Sequence, residues 1–243
     1  MPDLQMSGAG NVGLNDVVIT MQAVVEVPMF DSGAAPPWPV EPLAPGSWLV
    51  LNADCADERV GLFVAALADR IDVAPPGGRN EVVDALLAEE LLIFAGGVQV
   101  GDTRIGTNVV PGCCSGLEDW RDWAQLLTGG SPWLGHDPGP EVEVVGEDLR
   151  VWQDGGPNRH RGRWAVRHVE LPRRALPQLL MRMQRDLVGF LDALAGWAAR
   201  SGLGQGLVQG TAAVFGHSWP AGCVGVVVSR CARGRWPPAV AAG

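Results

Sequence analysis

A chain of 243 residues, of which 47% are hydrophobic, is long enough to bury one large core. Its net charge of −9 argues against a nucleic-acid partner, which needs a basic face, and against docking on an anionic membrane. The five cysteines are odd in number and lack a disulfide framework spacing, which fits reduced thiols in a cytoplasmic protein.

The opening residues, MPDLQMSGAG, have neither the basic nor the apolar region of a secretion signal, and residues 1–16 predict a loose arm. VVITMQAVVEVPMF (17–30) is rich in β-branched residues and predicts a strand. It is too short to span a bilayer and contains Gln22 and Glu26. DSGAAPPWPVEPLAPG (31–46) holds five prolines and predicts a loop, from which Trp38 would present an exposed indole. SWLVLN (47–52) predicts a buried strand.

A helix is expected over 57–70, capped by Asp54 or Asp57, with Leu62, Phe63, Ala66 and Leu67 on its buried side. A second is expected over 81–91, capped by Asn80. LLIFAGGVQVGDTRIGTNVV (91–110) predicts a hairpin turning at Gly101-Asp102, which sets Val100 opposite Thr103. EVEVVGEDLRVW (141–152) predicts another, turning at Gly146–Asp148, with Val142, Val144, Leu149 and Val151 buried. RWAVRHVE (163–170) predicts one more strand.

The strongest periodicity lies in Pro177–Arg200. Leu179, Leu180, Met183, Leu187, Phe190, Leu191, Leu194 and Trp197 recur at helical spacing. Pro177 suits the first turn and Ser201-Gly202 the stop. Such a helix is about 36 Å long, and its apolar stripe needs a sheet or other helices to cover it. Residues 201–243 form a Gly-, Ala- and Pro-rich tail without acidic residues. In it AGCVGVVVS (221–229) is either an edge strand or part of a poorly ordered extension.

The densest stretch is VVPGCCSGLEDWRDW (109–123). Ser115 and Glu118 have the spacing of a capping box that opens a helix over 115–128. Leu117, Trp120, Ala124 and Leu127 share one face, with Trp123 beside it. Cys113 and Cys114 precede that cap. A helix N-terminus lowers a thiol's pKa, but the cap would occupy the donors, and Asp119 and Asp122 oppose a thiolate. Adjacent cysteines also converge poorly on a metal. The favoured expectation is therefore that both pack as small buried side chains at a tight turn.

GGSPWLGHDPGP (129–140) then forms a loop holding Trp133, His136 and Asp137, and loops of this kind often carry function. There is no Walker loop, no G-x-G-x-x-G after a strand, no G-x-S-x-G and no H-E-x-x-H. No cofactor and no resident metal are expected.

PGCCSGLEDWRDW (111–123), GGSPWLGHDP (129–138), a strand pair and the LPQLLMRMQRDLVGFLDAL helix together resemble a group of uncharacterised actinobacterial proteins. The resemblance covers about residues 90–195 and implies no activity.

The sequence thus predicts an α+β fold, with a mostly antiparallel sheet and the long C-terminal helix on one face. Residues 1–200 form a single domain and 201–243 the tail. The leading functional expectation is a non-catalytic cytoplasmic interaction protein, immunity- or regulator-like, with a protein partner. The alternative is a small-molecule binder or enzyme that uses Cys113 or Cys114 with His136 and Asp137 in a pocket lined by Trp120, Trp123 and Trp133.

Overall fold

A computed structural model describes residues 19–30, 35–71, 78–89, 94–136, 139–155 and 167–216. The fold is α+β. Strands β1 (Ile19–Glu26), β2 (Trp48–Val50), β3 (Gly96–Asp102) and β4 (Thr107–Val109) form an antiparallel sheet in the order β2-β1-β3-β4. Strands β5 (Glu141–Val145), β6 (Asp148–Trp152) and β7 (His168–Pro172) form a second antiparallel sheet. The expected single sheet is therefore divided in two. The two share one core, because Leu149, Val151, Val169 and Leu171 cluster with Val98, Val100 and Val109.

Helix α1 runs over Asp57–Arg70 and α2 over Arg79–Ala88. The N-cap of α1 is Ala56, which makes no side-chain cap. Asp57 is instead the first helical residue, and its carboxylate accepts from Arg200 at 3.0 Å. Residues Val60 to Leu67 of α1 are all buried, so it is a central helix rather than a one-sided one. Asn80 lies inside α2, whose opening Gly78 N–H is met by the Glu81 carboxylate at 3.1 Å.

Trp38 is buried, in contrast to the exposed indole expected of its Pro-rich loop. It is 4% exposed, donates from Nε1 to the Gly61 carbonyl at 2.8 Å, and meets Trp197 edge to face with centroids 5.4 Å apart. The loop closes over α1 because an indole satisfied by a helix carbonyl can be buried whole.

The β3–β4 hairpin turns over residues 103–106, with Val100 opposite Val109 and Asp102 opposite Thr107. The turn expected at Gly101-Asp102 is displaced because Asp102 organises a longer one. Its carboxylate accepts from Arg104 N–H at 2.9 Å, and Gly106 takes the positive φ of 60° that closes the loop. The β5–β6 hairpin turns at Gly146-Glu147, as expected. Val144 is nevertheless 52% exposed, whereas Leu149 and Val151 of β6 and Val169 and Leu171 of β7 are fully buried.

Helix α3 covers Leu176–Arg200 and lays Leu179, Met183, Leu187, Phe190, Leu191, Leu194 and Trp197 into the core against β1. Gly189 lets the segment between β2 and α1 approach this helix closely, since a Cβ there would lie 2.6 Å from that of Ala53. The core does not end at residue 200. Helix α4 (Gly206–Val214) folds back onto α3, burying Leu207, Val208, Ala212 and then Phe215. Phe215 packs between Phe94 and Phe190, with centroids 6.0 and 6.4 Å away. The edge strand considered at 221–229, and the arm at 1–16, lie outside the described residues.

Candidate functional site

The segment after β4 passes through Pro111 and Gly112 to the two cysteines, then pairs briefly with the residues leading into β3. Gly96 N–H donates to the Ser115 carbonyl at 3.1 Å, and Leu117 N–H donates to the Phe94 carbonyl at 3.1 Å. This short pairing replaces the predicted helix start. The helix that follows, Leu117–Thr128, is a 3₁₀ helix with Gly116 at its N-cap and no side-chain cap. Its buried residues are Leu117, Trp120, Trp123 and Leu126. They recur every third position, which is the repeat of a helix with three residues per turn. Ala124 and Leu127, which an α-helical period would bury, are exposed.

The Ser115–Glu118 capping box does not form. Glu118 folds inward over Gly116, in space that a Cβ at Gly116 would occupy. Its Oε2 is buried without a hydrogen-bond partner. Burial, opposed by its own backbone N–H and reinforced by Asp119, pushes the carboxyl above its ordinary range. The cap therefore does not occupy the donors at this helix start.

Cys113 and Cys114 are both exposed, not buried as expected. Their Sγ atoms lie 3.3 Å apart. The turn that carries them is fastened to the next loop by backbone bonds. Gly112 N–H donates to the Leu134 carbonyl at 3.0 Å and His136 N–H to the Cys113 carbonyl at 2.9 Å. Gly135 makes this close approach possible. It holds φ at +112°, and a Cβ there would sit 2.7 Å from the Gly112 carbonyl carbon.

Trp133 is 48% exposed and meets the exposed His136 ring edge to face, with centroids 5.2 Å apart. Asp137 lies outside the described residues. The structure thus brings the cysteine turn and the Trp133–His136 loop onto one surface.

Trp120, Trp123 and Trp133 do line a common crevice, together with Val98, Pro111 and Leu134. It encloses about 10 Å³, the room of about one water molecule. Trp120 and Trp123 form its buried wall and Trp133 its open rim. Arg121 stacks its guanidinium over Trp120, 4.3 Å from the ring centroid, and donates to the carbonyl of Phe215. This contact ties the 3₁₀ helix to the end of α4.

Sequence reasoning did not find Glu118 as a desolvated carboxylate, because its S-x-x-E spacing has a ready structural explanation. Among the described residues, no three His, Cys, Asp or Glu side chains are grouped to hold a metal ion, and no helix is long and apolar enough to cross a membrane. Compared with protein-family models, curated proteins and solved structures, the chain shows no match to any of them.

Proposed function

We propose that this chain is a cytoplasmic, non-catalytic interaction protein, immunity- or regulator-like, of the actinobacterial group that its motifs resemble. Its contact surface is the Trp133–His136 loop together with the adjoining cysteine turn. The observation that carries this reading is the exposure of Trp133 on a loop whose backbone is pinned at Gly112 and Cys113. A large indole held half in water by a fixed loop loses little conformational freedom on binding, and tryptophan is prominent among residues that dominate interface energies. The chain's net charge of −9 favours a partner with a basic surface.

The reading as a small-molecule binder or enzyme has less support. The crevice beneath Trp133 encloses only about 10 Å³, whereas ligand pockets run to about 300 Å³ and more.

The test compares the native chain with Trp133→Ala in cross-linking to proteins of the source cytoplasm, read by quantitative mass spectrometry. A specific partner should be enriched by the native chain and depleted at least about tenfold by the substitution. Recovery of no specific partner, or equal recovery by a correctly folded Trp133→Ala chain, overturns the reading.

A further inference from the structure

Along extended backbone, consecutive side chains point to opposite faces, so adjacent cysteines ordinarily hold their sulfurs apart. Here Cys114 has φ of +62°, in the left-handed region that residues with a Cβ seldom adopt. The alternation is broken, and the two exposed thiols stand 3.3 Å apart. Such a conformation persists where its surroundings hold it. Ser115 N–H donates to the Gly112 carbonyl at 3.2 Å, Gly96 N–H to the Ser115 carbonyl at 3.1 Å, and His136 N–H to the Cys113 carbonyl at 2.9 Å. The pair is bracketed on both sides by bonded backbone.

We propose that Cys113 and Cys114 form a dithiol–disulfide exchange site, oxidised reversibly by low-molecular-weight disulfides to a ring between neighbouring residues. The inference goes beyond the interaction reading and does not depend on it. A disulfide bond is about 2.05 Å long, so closure brings the sulfurs together by only a little more than about 1 Å. The Cα atoms of neighbouring residues stand about 3.8 Å apart, closer than the roughly 4.4–6.8 Å of ordinary disulfides. The ring is therefore strained, and strained exposed disulfides are the readily reduced ones. This makes the site reversible rather than structural.

The exchange balances in two steps. One cysteine, as its thiolate, attacks a sulfur of the small disulfide RS–SR. That S–S bond breaks, a mixed disulfide forms, and RS⁻ leaves and takes up the proton the cysteine gave to solvent. The second cysteine then attacks the cysteine sulfur of the mixed disulfide, forms the Sγ–Sγ bond and expels the second RS⁻, which is protonated in turn. Two thiols are oxidised and one small disulfide is reduced to two thiols. Cys55 does not compete in this way. It is buried, its thiol donates to the Val50 carbonyl at 3.4 Å, and burial raises its pKa.

The experiment treats the reduced full-length chain with oxidised glutathione at neutral pH, alkylates the remaining thiols and cleaves after arginine. The fragment Ile105–Arg121 contains Cys113 and Cys114 and no other cysteine. In the native chain it should appear unalkylated and lighter by two hydrogens, and should return to the dithiol on treatment with dithiothreitol. Cys113→Ser and Cys114→Ser should each stop at the glutathione mixed disulfide. The native fragment decides the matter without reference to the variants. If it stays doubly alkylated, retains glutathione, or links two chains, the proposal is overturned.

Discussion

The backbone N–H of His136 donates to the carbonyl of Cys113 at 2.9 Å. With the neighbouring bond from Gly112 to Leu134, it joins two stretches separated by a twelve-residue 3₁₀ helix. The cysteine turn and the tryptophan loop are therefore one structural unit. What happens to the backbone of either is felt by the other.

Gly135 is the pivot of that unit. Gly135→Ala places a Cβ 2.7 Å from the Gly112 carbonyl carbon and 2.8 Å from the Cys113 oxygen, at a φ of +112°. The substitution should cost about 1–3 kcal/mol, read by urea denaturation. Amide exchange at Gly112 and His136 should accelerate with it. Unchanged exchange at those two amides would show that the loops are held by something else.

The two sides of the tryptophan crevice should respond differently to truncation. Trp123→Ala removes a buried ring and should cost about 3–5 kcal/mol. Trp133→Ala removes a half-exposed one and should stay within about 0.5 kcal/mol of the native chain. Equal losses in denaturant midpoint would place Trp133 in the core.

Glu118 gives the chain a particular pH dependence. Burial raises its carboxyl pKa in the folded state above the ordinary glutamate value of about 4.3. The folded state therefore holds this proton more tightly than the unfolded state does. Its effect on stability is least unfavourable at low pH. The penalty grows as pH rises from the unfolded pKa through the raised folded one, and persists above it. Glu118→Gln removes the titration. The variant should gain stability relative to the native chain as pH rises through this window and remain the more stable at neutral pH. Thermal midpoints that run parallel across the window would count against a desolvated carboxyl.

Phe215 makes the segment after α3 part of the core. It is 0% exposed, its ring packs with Phe94 and Phe190, and its carbonyl accepts from Arg121. A chain ended after Arg200 should lose cooperative unfolding and bind a hydrophobic dye, since the pocket left between Phe94 and Phe190 would open to water. A sharp, native-like transition in that truncated chain would show that α4 is dispensable.

Much of the fold was legible in the letters because local patterns and burial agree there. The 57–70 helix, the long 177–200 helix and the 141–152 hairpin appear within a residue or two of where periodicity and turn residues put them. The 115–128 region was legible as a helix but not as a 3₁₀ helix. Over so short a segment, repeats of 3.0 and 3.6 first diverge at the third contact. Trp123 and Ala124 both stood as candidates there, and packing against the core chose Trp123 and then Leu126.

By itself, the sequence determined the α+β class, the antiparallel hairpins, the long amphipathic helix and a net charge of −9. These follow from side-chain period, turn chemistry and charge, which are local or summed quantities. Only the tertiary structure decided that Trp38 is buried, that α4 completes the core, that Glu118 faces inward and that both cysteines face water. Each of these depends on which distant backbone arrives alongside: Gly61 at Trp38, Phe94 and Phe190 at Phe215, and Leu134 to His136 at the cysteine turn. A residue's neighbours in the chain set what it can do, but whether it meets water or protein is set by the segments that fold against it.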